Sequence, residues 1–160
     1  MIRARSLVIA ALFLCACEKT PTVVQPIQFS HKVHTEKGIT CDACHASVEK
    51  ASSAGIPTTD TCMLCHQATI TDSPEEEKVR QYAEKGLQIP WQQVYRVPAH
   101  VYFSHRRHVS LGNLKCVQCH GKVADSVVPV TVAAVPVQMD RCLGCHAQGG
   151  VTTDCNACHR

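Results

Sequence analysis

Ten of the twelve cysteines in this 160-residue chain fall into five copies of one pattern: Cys41-Asp-Ala-Cys44-His45, Cys62-Met-Leu-Cys65-His66, Cys116-Val-Gln-Cys119-His120, Cys142-Leu-Gly-Cys145-His146 and Cys155-Asn-Ala-Cys158-His159. Cys-x-x-Cys-His is the attachment signal of a c-type haem. Two thiols three apart lie on one side of a helical turn, so both reach one edge of a macrocycle and add across its vinyl groups. The adjacent imidazole then points at the iron as its proximal ligand. A lone Cys-x-x-Cys suits a zinc site or a redox dithiol equally well. Neither explains five pairs that are each followed at once by histidine. A disulfide framework has no use for that histidine either.

An iron held this way has a sixth position to fill. The chain has ten histidines, of which His45, His66, His120, His146 and His159 stand in the motifs. The other five are His31, His34, His100, His105 and His108. Four of them sit in the repeated stretches Phe29-Ser-His-Lys-Val-His34 and Phe103-Ser-His-Arg-Arg-His108, each a short way upstream of a motif. The count closes without remainder, which predicts five haem c groups, each iron clamped between two imidazoles. Histidines three apart project from neighbouring positions and serve two different haems. The expected pairs are His31 with His45, His34 with His66, His105 with His120, His108 with His146 and His100 with His159. A methionine ligand would raise the potential. Met1 belongs to the leader, Met63 lies inside a motif, and Met139 is the sole reasonable competitor. Low, bis-histidine potentials follow. No ligand is missing, so no catalytic residues are expected; an enzyme such as a nitrite, sulfite or tetrathionate reductase needs an open iron position with acid–base groups beside it.

These residues need little regular structure to position them. A two-haem module is expected at 29–70, a linker with a helix at 71–98 and a three-haem module at 99–160. The first two motifs of each module correspond: Asp60 stands two before Cys62 and Asp140 two before Cys142, where a carboxylate can cap the motif helix. The strongest helix signal runs from Ser73 to Gly86. Ser73 caps it, Pro74 suits its first turn, Glu76 completes a capping box and Gly86 stops it. Val79, Tyr82 and Ala83 share a face that docks it on the core. Residues 121–139 are rich in valine but broken by Pro129 and Pro136, and read as extended or hairpin structure. Aromatic residues make up only 4% of the chain. No ordinary side-chain core is possible at that density, so the macrocycles themselves must be the core. The expected fold is a small, mostly α or irregular multihaem protein with two haem modules.

The first residues read as an export leader. Arg3 and Arg5 precede the apolar run Leu7–Leu14, which is too short to span a bilayer. Leu14-Cys15-Ala16-Cys17 looks like a bacterial lipobox, making 1–16 a lipoprotein signal peptide and Cys17 the lipidated first residue of the mature chain. Residues 17–28 contain Pro21 and Pro26 and read as a tether. Covalent haem and lipid are both added outside the bacterial cytoplasm, so the chain is expected on the periplasmic side of a membrane, inner or outer. The formal charge is +3. Loss of Arg3 and Arg5 lowers it, and haem propionates would carry the loaded protein to roughly −4 oxidised by charge counting. Nothing points to nucleic acid.

At "FSHKVH…CDACH" the chain resembles the cytochrome c3/c7 class of multihaem cytochromes, in which Phe-x-His-x-x-His supplies sixth ligands ahead of the first motif. The segments "AGIPTTDTCMLCHQ", "PWQQVYRVPAHVYFSHRRHV", "KCVQCHG" and "CLGCHAQGGVTTDCNACH" resemble the pentahaem subunits of bacterial quinol-oxidising complexes such as alternative complex III. That resemblance spans about residues 26–160 and implies c7-like modules. It also implies a role as electron conduit beside a quinol-oxidising membrane subunit and an iron–sulfur protein, with a soluble cytochrome or oxidase as acceptor. Subunits of that type often carry an N-terminal membrane helix where this chain has its lipobox. A stand-alone lipoprotein electron shuttle, periplasmic or extracellular, is the alternative.

Overall fold

The computed structural model describes residues 22–160. The expected leader at 1–16 and the expected lipidated Cys17 lie outside the described residues. Short helices joined by irregular chain make up the fold. In order they are α1 (His31–Glu36), α2 (Cys41–Cys44), α3 (Thr59–Met63), α4 (Pro74–Glu84), a π-helix (Arg107–Leu111), α5 (Cys116–His120), a 3₁₀ turn (Val123–Asp125), α6 (Met139–Gln148) and α7 (Cys155–Cys158). Among the described residues there is no strand, only an isolated bridge between Val101 and His159. None of the helices there is long and apolar enough to cross a membrane.

Of the extended or hairpin structure expected over 121–139, the hairpin does not form, and the chain there is mostly irregular. The 3₁₀ turn occupies its start, and Pro129 and Pro136 withhold the N–H groups a ladder needs. The tether reading changes as well. From Val23 the segment is bonded to the body: Val23 N–H donates to the Thr131 carbonyl (2.9 Å), and the Gln25 amide exchanges bonds with the Gln92 backbone (2.9 and 3.0 Å).

Helix α4 begins and ends where the sequence places it. Ser73 Oγ accepts from Glu75 N–H (3.3 Å), Pro74 occupies the first turn, and Gly86 leaves at φ 64°. The capping box is not made, because the Glu76 carboxylate reaches past Ser73 to Ile70 and Thr71. The expected aspartate caps are not made either. Thr58 caps α3, its hydroxyl accepting from Thr61 N–H (3.3 Å), and Asp60 lies in the first turn. Gln138 precedes α6 without a side-chain cap, and Asp140 is again in the first turn, where its charge favours the helix dipole instead.

The side-chain core is very small. Ile27, Val79 and Ile89 are its buried apolar members, with Cys62, Met63, Tyr82 and Trp91 packed around them. Leu64, Ile70, Leu111, Val127, Val128 and Met139 are more than half exposed. A chain that leaves this much apolar side chain uncovered is shaped around something large and apolar.

The two copies of Phe-Ser-His-x-x-His brace each other crosswise. In the first copy, Lys32 N–H donates to the Ser126 carbonyl (3.0 Å) and Thr35 Oγ1 to the Ala124 carbonyl (3.0 Å). In the second, His105 and Arg106 N–H groups donate to the Ser52 and Ala51 carbonyls (3.0 Å each), and Ser110 Oγ to the Glu49 carbonyl (2.8 Å). Each ligand-bearing stretch therefore rests on the loop that follows the other copy's first motif. The copies differ by one residue, and the π-helix absorbs it. From His34 to the positive-φ Gly38 is four steps, and from His108 to the positive-φ Asn113 five. The extra residue widens the turn so that Gly112 N–H bonds Arg107 O (2.9 Å), the π pattern.

Candidate haem centres

Helices α2, α5, α6 and α7 carry four of the Cys-x-x-Cys pairs, and α3 carries Cys62 with Cys65 in the turn that follows it. All ten of these thiols are free, and seven of them are exposed. The pairs stand close to one another in a definite order. Burial and then the neighbouring Cys116 thiol push the Cys41 thiol up, with Cys116 also within hydrogen-bonding reach. Cys44 is raised by burial and then by Cys65, and Cys62 by burial and then by Cys44. Cys119 is raised by burial, with Cys145, Cys142 and Cys116 adding to the effect against nearby Arg141. The attachment sites thus run in space as Cys62/Cys65, Cys41/Cys44, Cys116/Cys119, Cys142/Cys145. The two copies meet at Cys41 and Cys116.

The imidazoles meet in pairs. Ring centroids of His34 and His66 are 6.2 Å apart, of His105 and His120 6.3 Å, of His108 and His146 6.1 Å and of His100 and His159 5.5 Å. His31 lies by His45; burial first, then His45 and His34, hold its pKa below the ordinary value and keep it neutral. Burial first, then His105 and His45, do the same to His120. A metal takes histidine in the neutral form. Metal–nitrogen bonds of about 2.0–2.1 Å put two axial imidazole centroids about 6 Å apart. Three of the measured separations match that spacing, and His100–His159 is somewhat closer.

Second contacts fix the tautomer. His34 Nδ1 bonds the Ser30 carbonyl (2.9 Å), His45 Nδ1 that of Gly55 (2.7 Å), His105 Nδ1 that of Ser52 (2.9 Å), His108 Nδ1 that of Ser104 (2.8 Å) and His146 Nδ1 that of Thr152 (2.9 Å). A carbonyl has no proton to give, so Nδ1 carries the hydrogen and Nε2 keeps its lone pair for a metal. The phenylalanine of each repeat holds its two histidines apart. Phe29 meets His31 edge-on at 4.9 Å and stacks on His34 at 4.5 Å; Phe103 meets His105 at 4.9 Å and stacks on His108 at 4.7 Å. Two supports had no signal in the motif spacing. Tyr95 sits edge-on against His120 at 4.4 Å, its hydroxyl accepting from Ala134 N–H (3.0 Å). Arg160 donates twice to the Ala99 carbonyl (2.9 and 2.7 Å) and lies 5.0 Å over the Tyr102 ring, tying the chain end to the His100 segment.

Free thiol pairs, imidazoles paired at about 6 Å and uncovered apolar side chains together fit covalently attached haem c. The chain belongs to the multihaem c-type cytochromes of the c3/c7 class. Residues 101–160 match the family "Cytochrome c7 and related cytochrome c", and residues 15–86 match the "Class III cytochrome C family". The multiheme cytochrome c subunit of a menaquinone reductase from Nitratidesulfovibrio vulgaris (strain Hildenborough) is 36% identical over 156 residues, which span 84% of this chain and 74% of that protein. This is a small, irregular multihaem cytochrome of short helices, a family whose cofactor is haem c.

Proposed function

We propose that this chain carries five haem c groups and is the periplasmic cytochrome subunit of a membrane complex that exchanges electrons with a quinone. The thioether bonds are to Cys41/Cys44, Cys62/Cys65, Cys116/Cys119, Cys142/Cys145 and Cys155/Cys158. The axial pairs are His31–His45, His34–His66, His105–His120, His108–His146 and His100–His159. The observation that carries this reading is the meeting of motif and spare imidazoles at 5.5–6.3 Å in four separate places. When bound, the haems supply one-electron redox chemistry. The chain's own residues hold the attachment sites close together, keep Nε2 of His34, His45, His105, His108 and His146 unprotonated through Nδ1–H bonds, and leave no iron position open for a substrate.

The relative's name, menaquinone reductase, favours electrons entering the quinone from the cytochrome side. Bis-histidine irons, low in potential by comparison with methionine-ligated ones, suit that direction. It is the reverse of the flow implied by a quinol-oxidising complex. Partners are then a soluble cytochrome as donor, and an iron–sulfur protein and a quinone-reactive membrane subunit as acceptors. Cys17 bears the lipid that keeps the chain at the membrane.

The test is the native protein purified from membranes. Intact mass gives the haem count, resting-state spectra give the spin state, and co-purifying chains give the complex. Five haems, wholly low-spin iron and a quinone-reactive membrane partner are expected. Stoichiometric carbon monoxide binding by the reduced protein would overturn the closed-iron reading. Isolation as a lone haem lipoprotein would replace the complex by the shuttle.

A further inference from the structure

Two buried polar side chains stand out among the described residues, Thr59 and Glu76. Glu76 is the carboxylate of the pair, and it touches the candidate centres. Its Oε1 accepts from Ile70 N–H (2.7 Å) and from Arg80 Nη1 (2.7 Å). Its Oε2 accepts from Thr71 N–H (2.9 Å) and Thr71 Oγ1 (2.7 Å). The Ile70 N–H foremost, then the Thr71 hydroxyl, hold it far below the ordinary carboxylate range, so it is ionised. Oε1 also lies 3.6 Å from His66 Nδ1. That nitrogen is buried and makes no hydrogen bond; the carboxylate at 3.6 Å faces it as a charge. Five other histidines place Nδ1 on a backbone carbonyl, a neutral acceptor. His66 alone among the ten faces a buried carboxylate.

We propose that Glu76 is a positioning residue for His66, its buried charge facing Nδ1 from 3.6 Å and making this imidazole a more electron-rich ligand than it would otherwise be. The inference rests on His66 being an iron ligand, as proposed above. A buried negative charge beside the ligand ring favours the more positive, ferric state of the iron that the ring would hold. The centre on Cys62/Cys65 is therefore harder to reduce than it would be without Glu76. Arg80 works the other way: its guanidinium shares Oε1 and offsets part of the charge that His66 feels.

Two substitutions pull the same centre in opposite directions. In the haem-loaded protein, Glu76→Gln keeps the shape and removes the charge, so the reduction equilibrium of one haem shifts about tenfold toward the reduced form, about 59 mV for one electron. Arg80→Gln leaves the carboxylate uncompensated and shifts the same haem toward the oxidised form. Haem-resolved redox titration by NMR of the haem methyls reads both, and the other centres stay where they were. A purely structural carboxylate would lower unfolding midpoints in both variants without splitting the sign. Unchanged potentials, or a shift of all haems together, would overturn the proposal. Should Glu76→Gln fail to load haem, Glu76→Asp and Arg80→Gln decide it by the same sign test. Wild-type protein lacking a bis-histidine spectrum would instead sink the ligand assignment itself.

Discussion

Thr59 is the most deeply buried side chain described, 1% exposed, and it joins the second haem motif to the rest of the body. Its hydroxyl donates to the Leu87 carbonyl (2.9 Å) and accepts from Ile89 N–H (2.9 Å), while its own N–H bonds the Gln88 side chain (2.8 Å). It stands at the start of α3, whose end carries Cys62. Thr59→Val keeps the branched shape and deletes the hydroxyl. Two hydrogen bonds go, and a buried N–H and C=O are left unpaired at ~1–3 kcal/mol each, about 3 kcal/mol together. For a chain of this size that is a fall in midpoint of about 6–12 °C. Thr59→Ser keeps both bonds and loses one methyl, worth about 0.8 kcal/mol. Guanidinium unfolding of the loaded protein, followed by haem absorbance and far-ultraviolet circular dichroism, compares the two. Valine losing no more than serine would refute the claim that the hydroxyl, rather than packing, holds α3.

His100→Ala should turn one haem high-spin and able to bind one equivalent of carbon monoxide, leaving the remaining centres low-spin; loss of several haems would show that His100 only packs. Gly121 follows His120 at φ 63° and ψ −156°, and a Cβ there would lie 3.2 Å from Ala134 Cβ. Gly121→Ala should cost about 1–3 kcal/mol, read as a lowered unfolding midpoint, because that backbone region is almost closed to other residues. Electron paramagnetic resonance should separate the centres by ring angle. The His34 and His66 planes cross at 58° and those of His105 and His120 at 8°. Crossed ligands leave two iron d orbitals nearly degenerate, so the first centre should show the larger g anisotropy.

The attachment signal was legible because covalent chemistry fixes both residue type and spacing. The helix at α4 was legible because its caps are local. The spare histidines cluster just upstream of motifs, and four of them stand within about 6 Å of a motif histidine. Other features needed distant partners. Glu76 has the spacing of a capping box, yet Ile70 and Thr71 offer it three donors and take it elsewhere. Asp60 and Asp140 could cap, but Thr58 already occupies the cap of α3, and at α6 the residue before the first turn is Gln138. The valine-rich stretch lost its hairpin to proline and to the helix α1 that lies on it. The crosswise bracing of the copies has no local signature at all, since Thr35 and Ala124, which it joins, lie 89 apart in the chain.

That bracing bears on how the protein is made. A ribosome finishes the stretch around Thr35 long before it reaches Ala124, so the early ligand helix waits without its backing. Contacts this remote in sequence are slow to close. The front half, released alone, lacks the surface its histidines lean on, and the back half lacks the same thing in mirror order. The molecule locks shut like a clasp when both arms have arrived.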